Sequence, residues 1–218
     1  MTEIKKLIAL EDKLIYQNAI SLLNSEDLSA TVIPEVLERA NAQVSEIAAC
    51  IHRKFLLELI SIFVSSKFSN GDDVMRVCFD SKFVNLSGVS ISDIDTIPAL
   101  CEQLHISFLN SKFSLSIKSS KVRSKSKEQL IALGAVYTQS HIAKSIVDDT
   151  FANLSIPLKD AKVLDFACGT GRFYENIIPH FQDKKKAILS NVYAIDVDIN
   201  ALNITRLKAL SFIETISE

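Results

Sequence analysis

The residues Val163-Leu164-Asp165-Phe166-Ala167-Cys168-Gly169-Thr170-Gly171-Arg172-Phe173 predict a strand, a tight turn and a helix, around which the rest of the 218-residue chain can be placed. Gly169 and Gly171 carry no Cβ, so the backbone can turn sharply there and approach a ligand closely. A helix that begins near Arg172 directs its first N–H groups at this loop. Asp165 ends the strand, where its carboxylate can accept hydrogen bonds from amino or hydroxyl groups. Ligands of open α/β sheets usually bind at this end of a parallel strand.

A second parallel strand is predicted from Asn191 to Asp198, an apolar run that ends in acids. The residues from Ala201 to Leu210 have the pattern of the helix that follows it. Because parallel strands finish at one edge of a sheet, we expect Asp196 beside Asp165. Asp198 is expected to cap the helix.

Three segments, taken in order, resemble motifs of the adenine-N6 DNA methyltransferases, which use S-adenosyl-L-methionine (SAM). Gly134–Ala143 matches Gly-x-x-Tyr-Thr-x-x-x-Ile-Ala and resembles motif X, with Gln139 where proline is common. Asp165–Gly171 resembles motif I in its Asp-Pro-Ala-Cys-Gly-(Ser/Thr)-Gly form, with Phe166 in place of the proline. The strand that ends at Asp196 resembles motif II.

The resemblance covers residues 134–210 and implies an α/β fold, in which a mainly α-helical N-terminal region is followed by the start of a Rossmann-like SAM-methyltransferase domain. It implies SAM as the cofactor. In such a site the motif II acid binds the ribose hydroxyls, apolar neighbours such as Ile199 flank the adenine, and the Tyr-Thr of motif X lies beside the methionine end. The implied cofactor-binding residues are Tyr137, Thr138, Asp165, Ala167, Gly169, Thr170, Gly171, Asp196 and Val197.

The catalytic loop of the family, (Asn/Asp/Ser)-Pro-Pro-(Tyr/Phe), has no counterpart, because the prolines occur singly at positions 34, 98, 157 and 179. No catalytic residue is therefore assigned. A complete methyltransferase sheet also needs further strands. We therefore expect a truncated fragment, the N-terminal part of a larger protein, that does not methylate DNA by itself. The strand ending at Asp165 then has one edge to be covered by the N-terminal region or by a second copy.

The first half of the chain predicts helices. Apolar residues recur at three- and four-residue steps from Thr2 to about Asn24, from Pro34 to Phe68 and from Ile97 to Leu109. Pro34 is suited to a first helical position. The apolar residues between 79 and 91 allow short strands or loops, and the alternation over Ser111–Ile117 predicts a strand.

The segment Lys118–Lys127, with five basic residues and four serines, predicts a mobile linker. The alternative is a segment that contacts nucleic-acid phosphates. We therefore divide the chain into a helical N-terminal region over 1–127, with this basic linker at its end, and a partial SAM-binding methyltransferase domain over 128–218. The motif X region predicts a helix capped by Thr138 or Ser140, and its expected buried side chains are Ile142, Ile146, Val147 and Phe151. Lys184-Lys185-Lys186 is expected in an exposed turn.

Charge and composition narrow the classes of function. Residues 1–110 carry 15 acidic and 9 basic side chains, which argues against a nucleic-acid surface there, whereas residues 111–160 carry 8 basic and 4 acidic ones. The four cysteines lack Cys-x-x-Cys spacing, so no metal site is predicted. His52 and His105 are expected to be packed or at the surface rather than ligands. Because there is no signal peptide or membrane-spanning run, we expect a cytoplasmic protein.

The resemblance implies DNA as the partner of the intact protein, in a restriction–modification system with a specificity or nuclease subunit or domain. A homodimer of the fragment is a further expectation, and no membrane partner is expected. Three other functions stay open from the sequence alone. They are a protein-glutamine or RNA methyltransferase, a dinucleotide oxidoreductase, disfavoured by Tyr174 where a third glycine would be needed, and a module that docks a partner subunit.

Overall fold

The computed structural model of the chain describes residues 2–25, 34–82, 84, 89–116, 119–125 and 138–213. These residues have a mixed α/β structure that is mostly helical, with two small sheets. The helices are α1 (Glu3–Ser25), α2 (Pro34–Lys67), α3 (Gly71–Phe79), α4 (Ile97–Leu109), α5 (Ser140–Ala152), α6 (Arg172–Ile177), α7 (Lys184–Ser190) and α8 (Ile199–Ser211). The strands are β1 (Ser111–Ser116), β2 (Lys121–Lys125), β3 (Val163–Asp165) and β4 (Val192–Ala194). Three 3-10 turns, Ile94–Thr96, Leu158–Asp160 and Ile178–His180, adjoin these elements.

The chain forms two compact units. The first comprises Met1–Glu58, Val84–Ser90 and Gln103–Gly134, and the second comprises Leu59–Phe83, Ile91–Glu102 and Ala135–Glu218. The domain boundary predicted between residues 127 and 128 lies outside the described residues.

The first unit packs α1 and the beginning of α2 against an antiparallel hairpin of β1 and β2. Side chains of β1 alternate between buried and exposed, so that Phe113 and Leu115 face the core. The buried members of this core are Ile15, Ala19, Val44, Ala48, Ile51, Phe113, Leu115 and Val122.

A buried polar cluster belongs to the same unit. His52 Nδ1 lies 2.6 Å from Glu11 Oε1, and His52 Nε2 lies 3.0 Å from His105 Nδ1. Arg123 of β2 donates to Glu11 and, from Nε at 2.6 Å, to Asp12. Both histidines are therefore packed inside the protein, as the sequence predicts.

The second unit contains a parallel pair of strands, β3 and β4, in which Val163 lies opposite Val192 and Asp165 opposite Ala194. One face of this pair is covered by helices. Its core consists of Val147, Tyr174, Ile177, Ile178, Phe181, Ala187, Val192 and Ala209. The end of α2, α3 and the beginning of α4 also belong to this unit.

The structure confirms several sequence predictions: α1, α4, strand β1, and the two parallel strands with the helices that follow them. The apolar spacing after Pro34 fits either one long helix or two in series, and the structure has one continuous helix there, α2. Two predictions for the middle of the chain were wrong. Gly71–Phe79 is a helix, with Val74 and Met75 buried, so Phe79 ends a helix instead of lying in a short strand or loop, and no element was predicted for the residues before it. Lys121–Lys125 is strand β2 rather than a linker, because Val122 enters the core and Arg123 binds two acids of α1.

Three predictions for the second half also need correction. The N-cap of α5 is Gln139, with no side-chain capping bond, rather than Thr138 or Ser140. The fully buried side chains of α5 are Ala143 and Val147, whereas Ile142 and Ile146, expected inside, are exposed. Residues 184–186 begin helix α7 instead of forming a turn, because Asp183 caps that helix through the Lys186 N–H.

No helix in the described part of the chain is both long enough and apolar enough to cross a membrane.

Candidate functional site

The carboxyl ends of β3 and β4 bring two acids to one edge. The backbone ladder continues past the strands, because Ile195 N–H donates to Asp165 O at 2.9 Å and Cys168 N–H donates to Ile195 O at 3.1 Å. Asp165 is the last residue of β3, and Asp196 comes two residues after β4. Because the strands are parallel and Asp165 lies opposite Ala194, Asp196 follows at the same edge of the sheet as Asp165. The pair predicted from the sequence is therefore present.

The glycine loop, defined as residues 166–171, joins β3 to α6. Gly169 and Gly171 have φ angles of 50° and 78°, in the left-handed region that glycine adopts at low cost. Gly171 N–H donates to Cys168 O at 2.8 Å and closes the turn. A Cβ added to Gly171 would lie 2.8 Å from Thr205 Oγ1, so both the backbone angle and the close approach of α8 require glycine there.

Asp196 holds the glycine loop through the backbone. Gly169 N–H donates to Asp196 Oδ2 at 2.7 Å, and Asp198 N–H donates to Asp196 Oδ1 at 2.8 Å. From the other side, Thr205 Oγ1 donates to Gly169 O at 3.0 Å. Asp198 accepts from the N–H groups of Asn200 and Ala201 and caps α8, as predicted. Asp196 and Asp198 thus have different roles, since Asp196 binds the glycine loop and Asp198 caps α8.

One carboxylate oxygen of Asp165 lacks a hydrogen-bond partner in the part of the chain that the structure describes. Its Oδ2 is buried, and within the described residues it receives no hydrogen bond. Burial raises the pKa of this carboxyl, the Ala167 backbone N–H opposes the rise, and the charge of Asp196 adds to it. A buried, unsatisfied acceptor costs free energy. A ligand that donates hydrogen bonds or carries positive charge would relieve this cost.

Thr170 uses its hydroxyl inside the protein. The side chain is buried, and Oγ1 donates to Glu102 Oε1 at 3.0 Å. Cys168 is also buried, and burial raises the pKa of its thiol to about 11, so the thiol is protonated at neutral pH. Neither side chain is therefore an exposed ligand-binding group, although Thr170 was among the predicted site residues.

Exposed apolar side chains lie next to the two acids along the chain. Phe166 and Val197 are almost fully exposed, and Ile195 and Ile199 are also exposed. Ala167 is exposed as well. Such side chains offer an apolar surface next to polar acceptors, which is the usual chemistry of a small-molecule site.

The motif X residues are less informative. Tyr137 lies outside the described residues. Thr138 is half-buried just ahead of α5, and within the described residues no hydrogen bond joins it to the glycine loop. The structure thus brings together Asp165, Gly169, Thr170, Gly171 and Asp196, with Ala167 and Val197 adjacent in the chain.

Two residues were missed by sequence reasoning. Thr205 gave no signal, because its contact with the glycine loop depends on how α8 packs. Glu102 did give a signal in the sequence, because it is the only Asp, Glu, Lys or Arg residue of the otherwise mostly apolar α4. No cluster of three or more His, Cys, Asp or Glu residues in the described ranges could hold a metal ion.

Comparison with protein-family models, with curated proteins and with solved structures gave no match to this chain.

Proposed function

We propose that the edge formed by β3 and β4 binds S-adenosyl-L-methionine, and that the chain is the SAM-binding part of an adenine-N6 DNA methyltransferase of a restriction–modification system. The observation that carries the proposal is the buried Oδ2 of Asp165, which has no hydrogen-bond partner among the described residues, beside the glycine loop that Asp196 holds. SAM has an ammonium group, a sulfonium and two ribose hydroxyls. It therefore offers the donors and the positive charge that two adjacent carboxylates favour.

We assign each residue a role from the hydrogen bonds that its side chain can still accept or from the apolar surface that it exposes. The oxygens of Asp196 each accept one backbone N–H, and a carboxylate oxygen can accept a second hydrogen bond, so the ribose hydroxyls can bind there. Asp165 accepts from the ammonium group. Val197 and Ile199 provide exposed apolar surface for the adenine ring. Tyr137 and Thr138 are assigned to the methionine end by the motif resemblance alone.

SAM supplies an electrophilic methyl group on its sulfonium. The residues of this chain bind and orient that donor, and they exclude water from one side of it. Transfer to a flipped adenine requires a Pro-Pro-aromatic loop, and no Pro-Pro pair occurs in the sequence. We therefore expect SAM binding without DNA methylation. DNA and a specificity or nuclease subunit are proposed partners of the intact enzyme, on the motif resemblance.

A nicotinamide dinucleotide is a poorer candidate. Its fingerprint needs a third glycine at position 174 for close helix–strand packing. Tyr174 occupies that position and is buried in the core, where burial raises the pKa of its phenol to about 12.

Calorimetric titration of the whole chain with SAM tests the proposal, with NAD as the comparison ligand. Asp196→Asn is expected to weaken SAM binding by at least about tenfold, since the ribose loses a charged acceptor. Asp198→Asn is the matched control. Asparagine caps helices as well as aspartate does, so this variant should bind SAM like the unmodified chain.

A thermal melt provides a second measurement. SAM at about 100 times its Kd should stabilise the chain by about 2.7 kcal/mol. A shift in Tm of roughly 5–10 °C is then expected for a chain of this size. Absence of SAM binding, binding of NAD instead, or equal losses in the Asp196 and Asp198 variants would each overturn the proposal.

A further inference from the structure

A carboxylate from outside the predicted motifs reaches the glycine loop. Glu102 is buried in the middle of α4, a helix with no other charged residue. Its Oε1 accepts from Thr170 Oγ1 at 3.0 Å and from the Arg172 guanidinium. Its Oε2 accepts from Lys208 Nζ at 2.9 Å. Glu102 thus joins the middle of the loop, the first residue of α6 and the last turn of α8.

The charges around Glu102 are balanced. Lys208 Nζ also lies 2.6 Å from Glu175 Oε2. Two acids, Glu102 and Glu175, and two bases, Arg172 and Lys208, therefore form one cluster. Balance matters because an uncompensated buried charge is strongly destabilising, whereas a buried ion pair adds little net stability over apolar packing. The cluster is therefore better explained by the geometry that it fixes than by a gain in stability.

That geometry belongs to the glycine loop. Thr170 lies between Gly169 and Gly171, the two residues with left-handed backbone angles. Glycine has the widest conformational freedom of all residues, so this loop needs external contacts to hold one conformation. Asp196 and Thr205 hold Gly169, and Glu102 holds Thr170 and Arg172.

We infer that Glu102 is a positioning residue of the cofactor site: it fixes the glycine loop in the conformation that binds the ligand, acting through Thr170 and Arg172. This inference rests on the proposed SAM site for its effect on affinity. The effect on the loop itself does not depend on which ligand binds.

Three variants test the contact between Glu102 and Thr170, and titration with SAM measures the effect of each variant on SAM affinity. Thr170→Val keeps the shape of the side chain and removes the hydroxyl, whereas Thr170→Ser keeps the hydroxyl. Glu102→Gln removes the charge. We expect Thr170→Val and Glu102→Gln to weaken SAM binding roughly tenfold, and Thr170→Ser to stay within about threefold of the unmodified chain. Ile178→Val, a buried substitution away from the loop, controls for a general loss of stability.

The thiol of Cys168 reports on the loop without any ligand. It is buried and protonated, so its alkylation by iodoacetamide, followed peptide by peptide with mass spectrometry, requires the loop to open. We expect alkylation about tenfold faster in Thr170→Val and Glu102→Gln, and unchanged in Thr170→Ser and Ile178→Val. If Glu102→Gln fails to fold, the two Thr170 variants still test whether the hydrogen bond between Thr170 and Glu102 fixes the loop.

The outcomes distinguish the two proposals. Faster Cys168 alkylation without SAM binding by the unmodified chain would refute the SAM site and leave Glu102 as the residue that holds the loop. Equal alkylation rates in Thr170→Val and Thr170→Ser would overturn the role of Glu102, whether or not SAM binds.

Discussion

At Asp165 the proposed role in ligand binding opposes stability. Its buried Oδ2 lacks a partner in the described residues, and burial together with Asp196 raises the pKa of its carboxyl. Because the folded pKa lies above the unfolded one, the ionised carboxylate lowers stability at neutral pH. This cost disappears as the pH falls through the folded pKa to below the unfolded value of about 3.9.

Replacement of Asp165 by Asn is therefore expected to raise Tm at pH 7 by about 1–2 °C, an effect well under 1 kcal/mol because the residue is partly exposed. The gain should vanish near pH 4. SAM affinity should fall at least about tenfold at pH 7. Calorimetric melts at both pH values and a SAM titration measure these effects. A variant that melts lower at pH 7 and keeps its SAM affinity would show that Asp165 is structural.

At the scale of elements, the cluster around His52 joins α1, α2, α4 and β2. Burial lowers the pKa of His52, Glu11 opposes this, and His105 and Arg123 add to it. The folded pKa is below the unfolded one, so the neutral imidazole supports the fold above about pH 6.5. That support is lost as the pH falls from there towards the folded pKa.

Between pH 7 and pH 5.5 the unmodified chain should lose stability through this histidine, by at most about 1 kcal/mol, the limit that the unfolded pKa of about 6.5 sets. In His52→Gln that part of the pH dependence should be absent, whereas in His141→Gln, at an exposed position, it should persist. Urea unfolding at the two pH values measures the difference. The titratable and charged groups that act on His52 are Glu11 of α1, His105 of α4 and Arg123 of β2, and they remain in both variants. Equal pH dependence in both variants would exclude His52 as the source.

The elements also show what local sequence could and could not predict. Pro34 and the apolar spacing gave α2, and the glycine pattern gave a turn whose positive φ angles the structure confirms. Strand β2 was missed because a basic, serine-rich run has the composition of a solvated linker. Its order depends on acids of α1 more than a hundred residues away, which bind Arg123.

Helices α5, α6 and α8 were predicted and α7 was not, and the buried face of α5 was predicted only in part. Val147 is buried as predicted. Ile142 and Ile146 are larger than Ala143, so the sequence favoured them for the core of α5, yet they are exposed and Ala143 is buried. The neighbours of a helix determine which side is buried, and they are not encoded locally. In the same way, the two carboxylates were predictable from strand order, while the contact of Glu102 with Thr170 was not.

For the molecule as a whole, one face of the parallel strand pair is uncovered in the described residues. Leu164 and Tyr193 lie opposite each other in the register and are 54% and 49% exposed. Within the same residues β3 pairs only with β4. Parallel sheets are normally covered on both faces, and unpaired strand edges seek partners.

We therefore expect the chain to self-associate through this face. Leu164→Lys should shift the protein to monomer while leaving Tm within about 2 °C, because the side chain is already half exposed. Leu189→Lys changes an exposed leucine of α7 and serves as the control. Sedimentation velocity over a range of concentrations measures the assembly. A monomeric unmodified chain, or an equal response of both variants, would contradict this expectation.

The bond between Thr170 and Glu102 also has a thermodynamic consequence that runs in both directions. If a ligand favours the loop conformation that Glu102 holds, then ligand binding must stabilise the position of Glu102 by the same factor. Any macromolecule that binds or displaces this part of α4 would then change the affinity of the proposed site for its ligand. Through Glu102, ligand occupancy of the proposed site would then affect α4, a helix that contains none of the motif residues of that site.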